Sequence, residues 1–161
     1  MTGSFRKLLA AKIHRATVTG ADVDYEGSVT VPPDLLEAAG IHPYESVHIW
    51  NVTRGTRLET YAIAGRQGSR DICANGAAAH WVHPGDQVIL ASFVMVPEER
   101  VTEHRPKLIF VDHTNQIVHN GPEIPGPQRR DAAEASEASP IRGNHGADAS
   151  IPAPPESGSP A

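Results

Sequence analysis

The alternation of apolar and polar residues along the first 120 positions predicts a series of short β-strands. Their close spacing, with turn residues between the segments, is typical of a compact β-barrel. One segment, 85–96, is so continuously apolar that we expect both of its faces to be buried. The predicted strands lie at residues 11–19, 27–31, 46–53, 56–65, 85–96, 106–112 and 116–119.

Two short helical segments interrupt the predicted strands. The stretch PPDLLEAAGI, residues 32–41, has an acidic residue in its first turn and a glycine near its end, as helices commonly do. Its apolar stripe consists of Leu35, Leu36 and Ala39. The stretch PEERVTEH can form one or two helical turns that begin at Pro97. Between the two arms of a predicted hairpin, Arg54 and Gly55 are the expected turn residues.

The composition changes sharply after residue 120. Residues 121–161 hold 8 of the 14 prolines of the chain and no aromatic residue. A segment of this kind buries too little apolar surface to offset an ordering entropy of roughly 1–2 kcal/mol per backbone residue. We therefore expect a folded domain at 1–120 and a disordered Pro/Ala/Ser-rich tail at 121–161. A partner-docking segment is the alternative interpretation of the tail.

Charge and cysteine content narrow the function classes. The 161 residues carry a formal net charge of -5, which gives no basis for binding nucleic acid or an anionic membrane surface. The longest apolar run, Val88–Val96, is far too short to span a bilayer. The single cysteine, Cys73, cannot form an intrachain disulfide and fits a reducing compartment. These observations predict a cytoplasmic protein.

Three features carry candidate chemistry that the local sequence leaves open. His80 and His83 could approach a metal together, but no carboxylate or cysteine has a supporting spacing, so we predict no metal site. The stretch ANGAAAH, residues 74–80, is either a tight turn into a helix or a place where a small anion reaches main-chain amides. Ser28, after the polar turn DYEG, either opens a strand or carries the chemistry.

The stretch TRLETY offers a guanidinium, a hydroxyl and a phenol on one predicted strand. Because strand side chains alternate, Arg57 and Tyr61 share one face while Thr60 points to the other. A single pocket could use all three only at a bulge or at a seam between subunits. An exposed arginine and a half-buried tyrosine on a hairpin are the simpler interpretation of this stretch alone.

Several longer motifs lie in a characteristic order between Phe5 and Val118. They are KIHRATVTGADVDYEGSVTV, DLLEAAGI, IWNVTRGTRLETYAIAG, NGAAAH, GDQVILASFV and RPK. In sequence and in order they closely resemble the pyruvoyl-dependent aspartate 1-decarboxylase family. The resemblance implies a mainly β fold, a double-psi β-barrel with short helices, assembled as a homotetramer with active sites between neighbouring subunits. Such a seam would let both faces of the TRLETY strand contribute to one site.

The resemblance also implies that the chain makes its own cofactor. Ser28 would attack the carbonyl carbon of Gly27, and the chain would separate there and leave a covalent pyruvoyl group at position 28. That ketone would replace pyridoxal phosphate, and no metal is implied. Gly27 leaves its carbonyl unhindered and allows a backbone twist that other residues resist, and Thr60 would stabilise the oxyanion. The sequence leaves open whether a maturation factor assists this cleavage.

The family's reaction converts L-aspartate to β-alanine, which supplies pantothenate and coenzyme A biosynthesis. The amine of aspartate condenses with the ketone to a Schiff base, and the α-carboxylate leaves as carbon dioxide. The resemblance implies that Tyr61 protonates the resulting carbanion and that Arg57 holds a substrate carboxylate. The other implied contacts are the amides of Gly76, Ala77 and Ala78, the side chains of Lys12 and His14, and Asn75 and Tyr25 beside the pyruvoyl group.

A DNA-binding regulator built from swapped hairpins is the alternative function. The stretch GSVTVPPDLLEAAGIHPYESVHIW is similar to the strand–helix–strand unit of such proteins, which share a small β architecture. However, residues 1–60 carry six lysines and arginines against seven aspartates and glutamates. This balance has the wrong sign for contacts with phosphates. The hypothesis of a DNA-binding regulator also gives no role to the motifs NGAAAH and TRLETY.

Overall fold

The computed structural model describes residues 3–124 and residue 126, and this part of the chain is mainly β. Nine strands, one short α-helix and two 3-10 helices follow one another along it. The strands are β1 Phe5–Thr17, β2 Gly20–Asp22, β3 Ser28–Val31, β4 Ser46–Asn51, β5 Arg57–Ala64, β6 Cys73–Asn75, β7 Gln87–Pro97, β8 Lys107–Val111 and β9 Ile117–Asn120. The helices are α1 Pro33–Ala39 and the 3-10 segments Gly76–His80 and Glu98–Glu103.

The nine strands form one mixed sheet in the order β2-β6-β3-β5-β4-β7-β1-β8-β9. Three neighbouring pairs are parallel, β1 with β8, β2 with β6, and β3 with β5, and the other pairs are antiparallel. This order brings strands that are distant in sequence side by side. The mainly β prediction is confirmed, and the arrangement is consistent with the double-psi β-barrel that the family resemblance implies.

Strand β1 is longer than its hydrophobic pattern predicts. It pairs with β7 from Phe5 opposite Pro97 to Thr17 opposite Gln87, and its centre also pairs with β8. The first six residues of β1, FRKLLA, do not alternate between apolar and polar, so the pattern of residues 11–19 does not extend to the first half of the strand. Pairing with β7, itself 11 residues long, fixes those residues instead, which is a tertiary effect.

Strand β7 is buried on both faces only in its middle. Leu90, Ala91 and Ser92 are buried in succession, as the continuous apolar run predicts. Farther along, Val94 is 39% exposed and Met95 is 57% exposed, so the expectation of burial along the whole strand is wrong. At this end of the strand, Val94 and Met95 face outward in the described protomer, whereas Val96 is buried.

Helix α1 follows the sequence prediction closely. Its apolar stripe, Leu35, Leu36 and Ala39, is buried, and Gly40 ends the helix with a φ of 69°. The acidic first-turn residue Asp34 accepts a hydrogen bond from Arg70 Nη2 at 2.7 Å. A left-handed residue after the last turn is where glycine costs least, so the local sequence is sufficient to end this helix.

The turn of the β4–β5 hairpin is longer than the two residues predicted. Strand β4 ends at Asn51 and β5 begins at Arg57, so residues 52–56 form the connection. Asn51 organises this loop, because its side-chain oxygen accepts a bond from the Arg54 amide and its carbonyl accepts one from the Gly55 amide. The register therefore sets Arg57 opposite Trp50.

The two three-residue strands β2 and β6 are absent from the sequence prediction. They pair with each other in parallel, and β6 also pairs with β3. Their sequences, Gly-Ala-Asp and Cys-Ala-Asn, have little intrinsic preference for strand, so only these contacts make them strands. This omission matters because β6 ends at Asn75, beside the candidate site.

The hydrophobic core lies between the helix and the curved sheet, and its largest fully buried side chains include Ile13, Leu35, Ile49, Leu90 and Ile109. Strand β9 ends at Asn120, and the predicted tail at 121–161 falls mostly outside the described residues. The domain boundary at residue 120 stays a prediction. Within the described part of the chain, no helix combines the length and apolar character needed to cross a membrane.

Candidate active site

Ser28 is the first residue of β3, and its hydroxyl is held in a buried environment. The residue is only 1% exposed, and its Oγ accepts a hydrogen bond from Asn75 Nδ2 at 2.8 Å. The hydroxyl also lies 3.4 Å from the Glu26 carbonyl oxygen, to which it donates. The antiparallel register of β3 and β6 sets Ser28 directly opposite Asn75, which explains why these side chains meet.

The chain just before Ser28 packs tightly against Gly76. A Cβ added to Gly76 would lie 2.8 Å from Gly27 Cα and 2.9 Å from the Tyr25 carbonyl oxygen, and Gly76 has a φ of +62°. Both the spacing and the left-handed backbone therefore require glycine at position 76. Gly76, which is one of the expected site residues, is buried and lies against the Gly27–Ser28 connection.

Gly27 has no left-handed backbone conformation in this structure, and the twist expected during cleavage stays a prediction. A Cβ added there would lie more than 4 Å from the other described atoms that surround it. Gly27 is an exposed residue, and the accessibility of its carbonyl carbon stays a prediction. The conformational demand for glycine falls instead on Gly76, because that residue must let two chain segments approach closely.

An open pocket lies beside this connection. The residues that line it are Gly27, Leu58, Glu59, Thr60, Asn75, Ala77, Ala78 and Trp81. Five of these residues are site residues that the sequence predicts: Gly27, just before β3, and four from β5, β6 and the 3-10 segment Gly76–His80. The stretch NGAAAH thus forms a strand end and a 3-10 turn, and it contributes one wall of the pocket.

Thr60 faces this pocket while Arg57 and Tyr61 face the other side of the sheet. In the β4–β5 ladder, Thr60 is opposite the buried Val47, whereas Arg57 is opposite Trp50. Cross-strand partners in an antiparallel pair share a face, so the alternation predicted for TRLETY is present in the structure. Within residues 3–124, Arg57 and Tyr61 do not line the pocket.

Lys12 lies on the same side of the sheet as Arg57 and Tyr61. It is opposite Ala91 in the β1–β7 ladder, Ala91 is opposite His48, and His48 is opposite Glu59 on β5. This row of cross-strand partners crosses four neighbouring strands. We use the term outer face for this side of the sheet, and its site residues are Lys12, Arg57 and Tyr61.

Each outer-face residue has a defined contact. The Arg57 guanidinium lies over the Trp50 ring, with Cζ 5.1 Å from the ring centre. Tyr61 is half-buried and stacks on Tyr44 with ring centres 6.4 Å apart. Lys12 is buried and forms an ion pair with Glu123.

The two remaining expected residues lie apart from these contacts. His14 packs edge-on against Phe110 on β8, with ring centres 5.2 Å apart. Tyr25 is 53% exposed, although the backbone carbonyl of Tyr25 lies next to Gly76. In the described protomer, neither Tyr25 nor His14 lines the pocket.

A buried carboxylate, Asp86, ties the pocket wall to the hairpin. Burial would raise its pKa, but hydrogen bonds from Asn51, the His83 amide and Arg54 overcome that effect and hold the pKa below its ordinary value. The Asn51 amide also donates to the carbonyl of Trp81, a pocket residue, at 3.2 Å. Asp86 therefore joins the end of β4, the hairpin loop and the start of β7.

Glu59 brings a negative charge to the rim of the pocket. A hydrogen bond from Ser46 Oγ at 2.5 Å lowers the pKa of this carboxyl, and the charges of His48 and Lys7 act in the same direction.

Within residues 3–124, no group of three or more histidine, cysteine, aspartate or glutamate side chains could hold a metal ion.

Comparison with known proteins identifies the family. A family model described as Aspartate decarboxylase matches residues 4–118. The chain belongs to the aspartate decarboxylase family. A protein named Aspartate 1-decarboxylase from Rhodopirellula baltica is 71% identical over 126 residues, which cover 78% of this chain and 81% of the relative.

Two further relatives have the same printed name. The protein from Legionella pneumophila (strain Lens) is 58% identical over 120 residues, covering 74% of this chain and 90% of the relative. The protein from Myxococcus xanthus is 59% identical over 128 residues, covering 79% of this chain and 98% of the relative. Membership of the aspartate decarboxylase family does not favour the alternative of a DNA-binding regulator.

The region matched to the aspartate decarboxylase family contains both the pocket and the outer face. Sequence reasoning missed several residues there: Leu58, Glu59 and Trp81 in the pocket, Trp50 under Arg57, and Asp86 below the pocket wall. Correct hairpin register would have pointed to Trp50, because it is the cross-strand partner of Arg57. No sequence pattern links Asp86 to Asn51, since the fold alone brings them together.

Proposed function

We propose that this chain decarboxylates L-aspartate to β-alanine, and that it does so with a pyruvoyl group formed from its own Ser28. The observation that carries the proposal is the buried Ser28 hydroxyl, held by Asn75 next to the Gly27 connection in a member of the aspartate decarboxylase family. The product would be the β-alanine that pantothenate and coenzyme A biosynthesis requires, as the family resemblance implies.

The self-processing begins with Ser28 and Gly27. Ser28 Oγ bonds to the Gly27 carbonyl carbon as the hydroxyl proton leaves, and breaking the C–N bond gives an ester and a free amine at residue 28. Loss of the Cα proton of residue 28 then expels the Gly27 carboxylate and leaves dehydroalanine. Water replaces the nitrogen, so ammonia departs and a ketone remains. Thr60, which lines the same pocket as Gly27, is the candidate donor to the oxyanion of the first step.

The residues around position 28 suit such a ketone. The Asn75 amide already donates to the oxygen of residue 28, and the burial of that residue limits access of water to a reactive carbonyl. Once formed, the pyruvoyl group would supply the electrophile for the substrate amine and accept the electron pair that carbon dioxide leaves behind. Asn75 and Tyr25 are the residues we assign to its support.

The outer face supplies the charges that aspartate needs. The two carboxylates of aspartate require cationic partners, and Arg57 and Lys12 are cations of that face. Arg57 would bind one carboxylate with its planar fork, and His14 would line the site near Lys12. Tyr61 would return a proton to the substrate carbon, because a phenol is protonated at neutral pH. The amides of the NGAAAH turn would contact the bound substrate from the pocket side.

A site between copies of the chain reconciles these two groups of residues. Thr60 and Tyr61 are adjacent on β5, so their side chains point to opposite sides of that strand: Thr60 lines the pocket, whereas Tyr61 lies on the outer face. We propose that the pocket of one subunit faces the outer face of its neighbour, in the homotetramer that the family resemblance implies. Each complete site then needs two chains.

Mass spectrometry of the denatured protein tests the maturation. We expect two fragments, residues 1–27 and residues 28–161, with the second blocked to Edman degradation because it has no free amine. A Ser28→Ala chain, the matched control, should stay intact and make no β-alanine. An intact wild-type chain that makes β-alanine at full rate would contradict the pyruvoyl proposal.

Co-expression of two impaired variants tests the shared site. Ser28→Ala lacks the pyruvoyl group but keeps Tyr61, whereas Tyr61→Phe should cleave normally yet turn over slowly. With random mixing, about a quarter of the sites should combine a matured pocket with an intact Tyr61. We therefore expect β-alanine formation in purified mixed oligomers to recover toward that fraction.

The matched control combines two outer-face variants, Arg57→Ala with Tyr61→Phe. Every site in these mixed oligomers lacks one outer-face residue, so we expect no recovery. Equal activity of this mixture and of the Ser28→Ala mixture would argue for a site complete within one chain.

A further inference from the structure

The side-chain amide of Asn75 donates both of its hydrogens to hydroxyl groups on one strand, β3. Its Nδ2 donates to Ser28 Oγ at 2.8 Å and to Thr30 Oγ1 at 3.0 Å, and Asn75 is only 3% exposed. Ser28 and Thr30 are two residues apart on β3, so both side chains point to the same face. The carboxamide therefore spans the two hydroxyls, and its orientation is set by both.

The side chain of Thr30 is itself held in place by its methyl group. A Cβ added to Gly65 would lie 3.1 Å from Thr30 Cγ2, so the methyl occupies the space beside Gly65. The Gly65 amide donates to the Val31 carbonyl at 2.9 Å, which holds this segment against β3. With the methyl directed toward Gly65, the hydroxyl of Thr30 is left facing Asn75.

We propose that Thr30 is a positioning residue for the self-cleavage at Gly27–Ser28, an inference that rests on the proposed function. By accepting one amide hydrogen, Thr30 directs the other hydrogen of Asn75 at Ser28 Oγ. That oxygen gains negative charge as its proton leaves and it bonds to the Gly27 carbonyl carbon, and a buried donor stabilises such charge. Without Thr30 Oγ1, the carboxamide can turn its own oxygen toward Ser28, where it would accept a bond instead of donating one.

The rate of cleavage in two Thr30 variants tests this role. Thr30→Val keeps the shape of the side chain but removes the acceptor, whereas Thr30→Ser keeps the acceptor and removes the methyl. We expect Thr30→Val to slow the appearance of fragments 1–27 and 28–161 at least about tenfold. Thr30→Ser should cleave within about threefold of the wild-type rate, because it retains the hydroxyl. Mass spectrometry of freshly synthesised chain at successive times provides the rates.

Thr53→Val is the matched control for the loss of a hydroxyl. Thr53 Oγ1 accepts a bond from the Gln87 amide at 2.9 Å, away from Asn75, so this variant should cleave at the wild-type rate. Thermal unfolding of each precursor, in a Ser28→Ala background that cannot cleave, separates slow chemistry from loss of fold. Equal cleavage rates in Thr30→Val and wild type would overturn the inference. Equal slowing by valine and serine would also overturn it, since the methyl rather than the hydroxyl would then be responsible. A wild-type chain that never cleaves would instead overturn the proposed function.

Discussion

At the scale of single residues, Asp86 carries a charge in a site that is only 3% exposed. An isolated buried carboxylate would be strongly destabilising, but three donors meet its Oδ2 atom. Asn51 Nδ2, Arg54 Nε and the His83 amide lie at 2.8, 2.7 and 3.0 Å from it. These bonds favour the ionised form, so the folded state holds the pKa of this carboxyl below its ordinary value.

The lowered pKa predicts a pH-dependent contribution to stability. Because the unfolded chain binds the proton more tightly, the stabilisation by Asp86 is complete above the ordinary pKa of 3.8 and is lost as the pH falls through the lower folded value. Asp86→Asn should cost about 1–3 kcal/mol of unfolding free energy at pH 7. The difference from wild type should shrink below about pH 4.

Thermal or urea unfolding at pH 7, 5, 4 and 3 measures this difference. The control, Glu37→Gln, removes an exposed charge from α1 and should change stability by less than about 0.5 kcal/mol at neutral pH. A deficit for Asp86→Asn that stays constant from pH 7 to pH 3 would indicate that the lost contribution is packing rather than charge.

The candidate site residues were named from the family motifs that they match. The local sequence alone left Ser28 and ANGAAAH open and favoured an ordinary hairpin for TRLETY. Thr30 and Asp86 differ, since a threonine in a strand and an aspartate in a turn are ordinary residues. Their importance arises from the partners that the fold gives them, Asn75 and Asn51.

At the scale of elements, the site depends on the parts of the fold that local sequence predicts least well. Helix α1 was predictable because its stripe and its terminal glycine are local signals. Strand β6, by contrast, has three residues and exists through its pairing with β2 and β3. Asn75 and the NGAAAH turn are positioned by this strand, so their geometry could not be predicted from residues 73–80 alone.

The β4–β5 hairpin illustrates how a turn of the wrong length affects the predicted site. A two-residue turn at Arg54-Gly55 would set Arg57 opposite Val52, whereas the five-residue loop sets it opposite Trp50. The shift moves the cross-strand partner by two residues, and a shift of two preserves the face. The prediction that Arg57 and Tyr61 share a face is therefore confirmed although the turn is wrong.

At the scale of the whole molecule, the segment after β9 reaches back to the outer face. Glu123 pairs with Lys12, whose side chain is 8% exposed, while that of Glu123 is 56% exposed. In the proposed function Lys12 belongs to the substrate site. A substrate carboxylate that approaches Lys12 would therefore compete with a carboxylate of the same chain.

This competition predicts that removing the charge of Glu123 strengthens substrate binding. A partly exposed ion pair contributes about 0.2–1 kcal/mol, so Glu123→Gln should lower KM for aspartate by up to about fivefold with kcat nearly unchanged. Glu98→Gln is the matched control, because Glu98 forms an exposed ion pair with Arg6 outside the proposed site. Steady-state β-alanine formation across aspartate concentrations gives both constants. An identical KM in Glu123→Gln and wild type would mean that the Lys12–Glu123 pair does not compete with substrate.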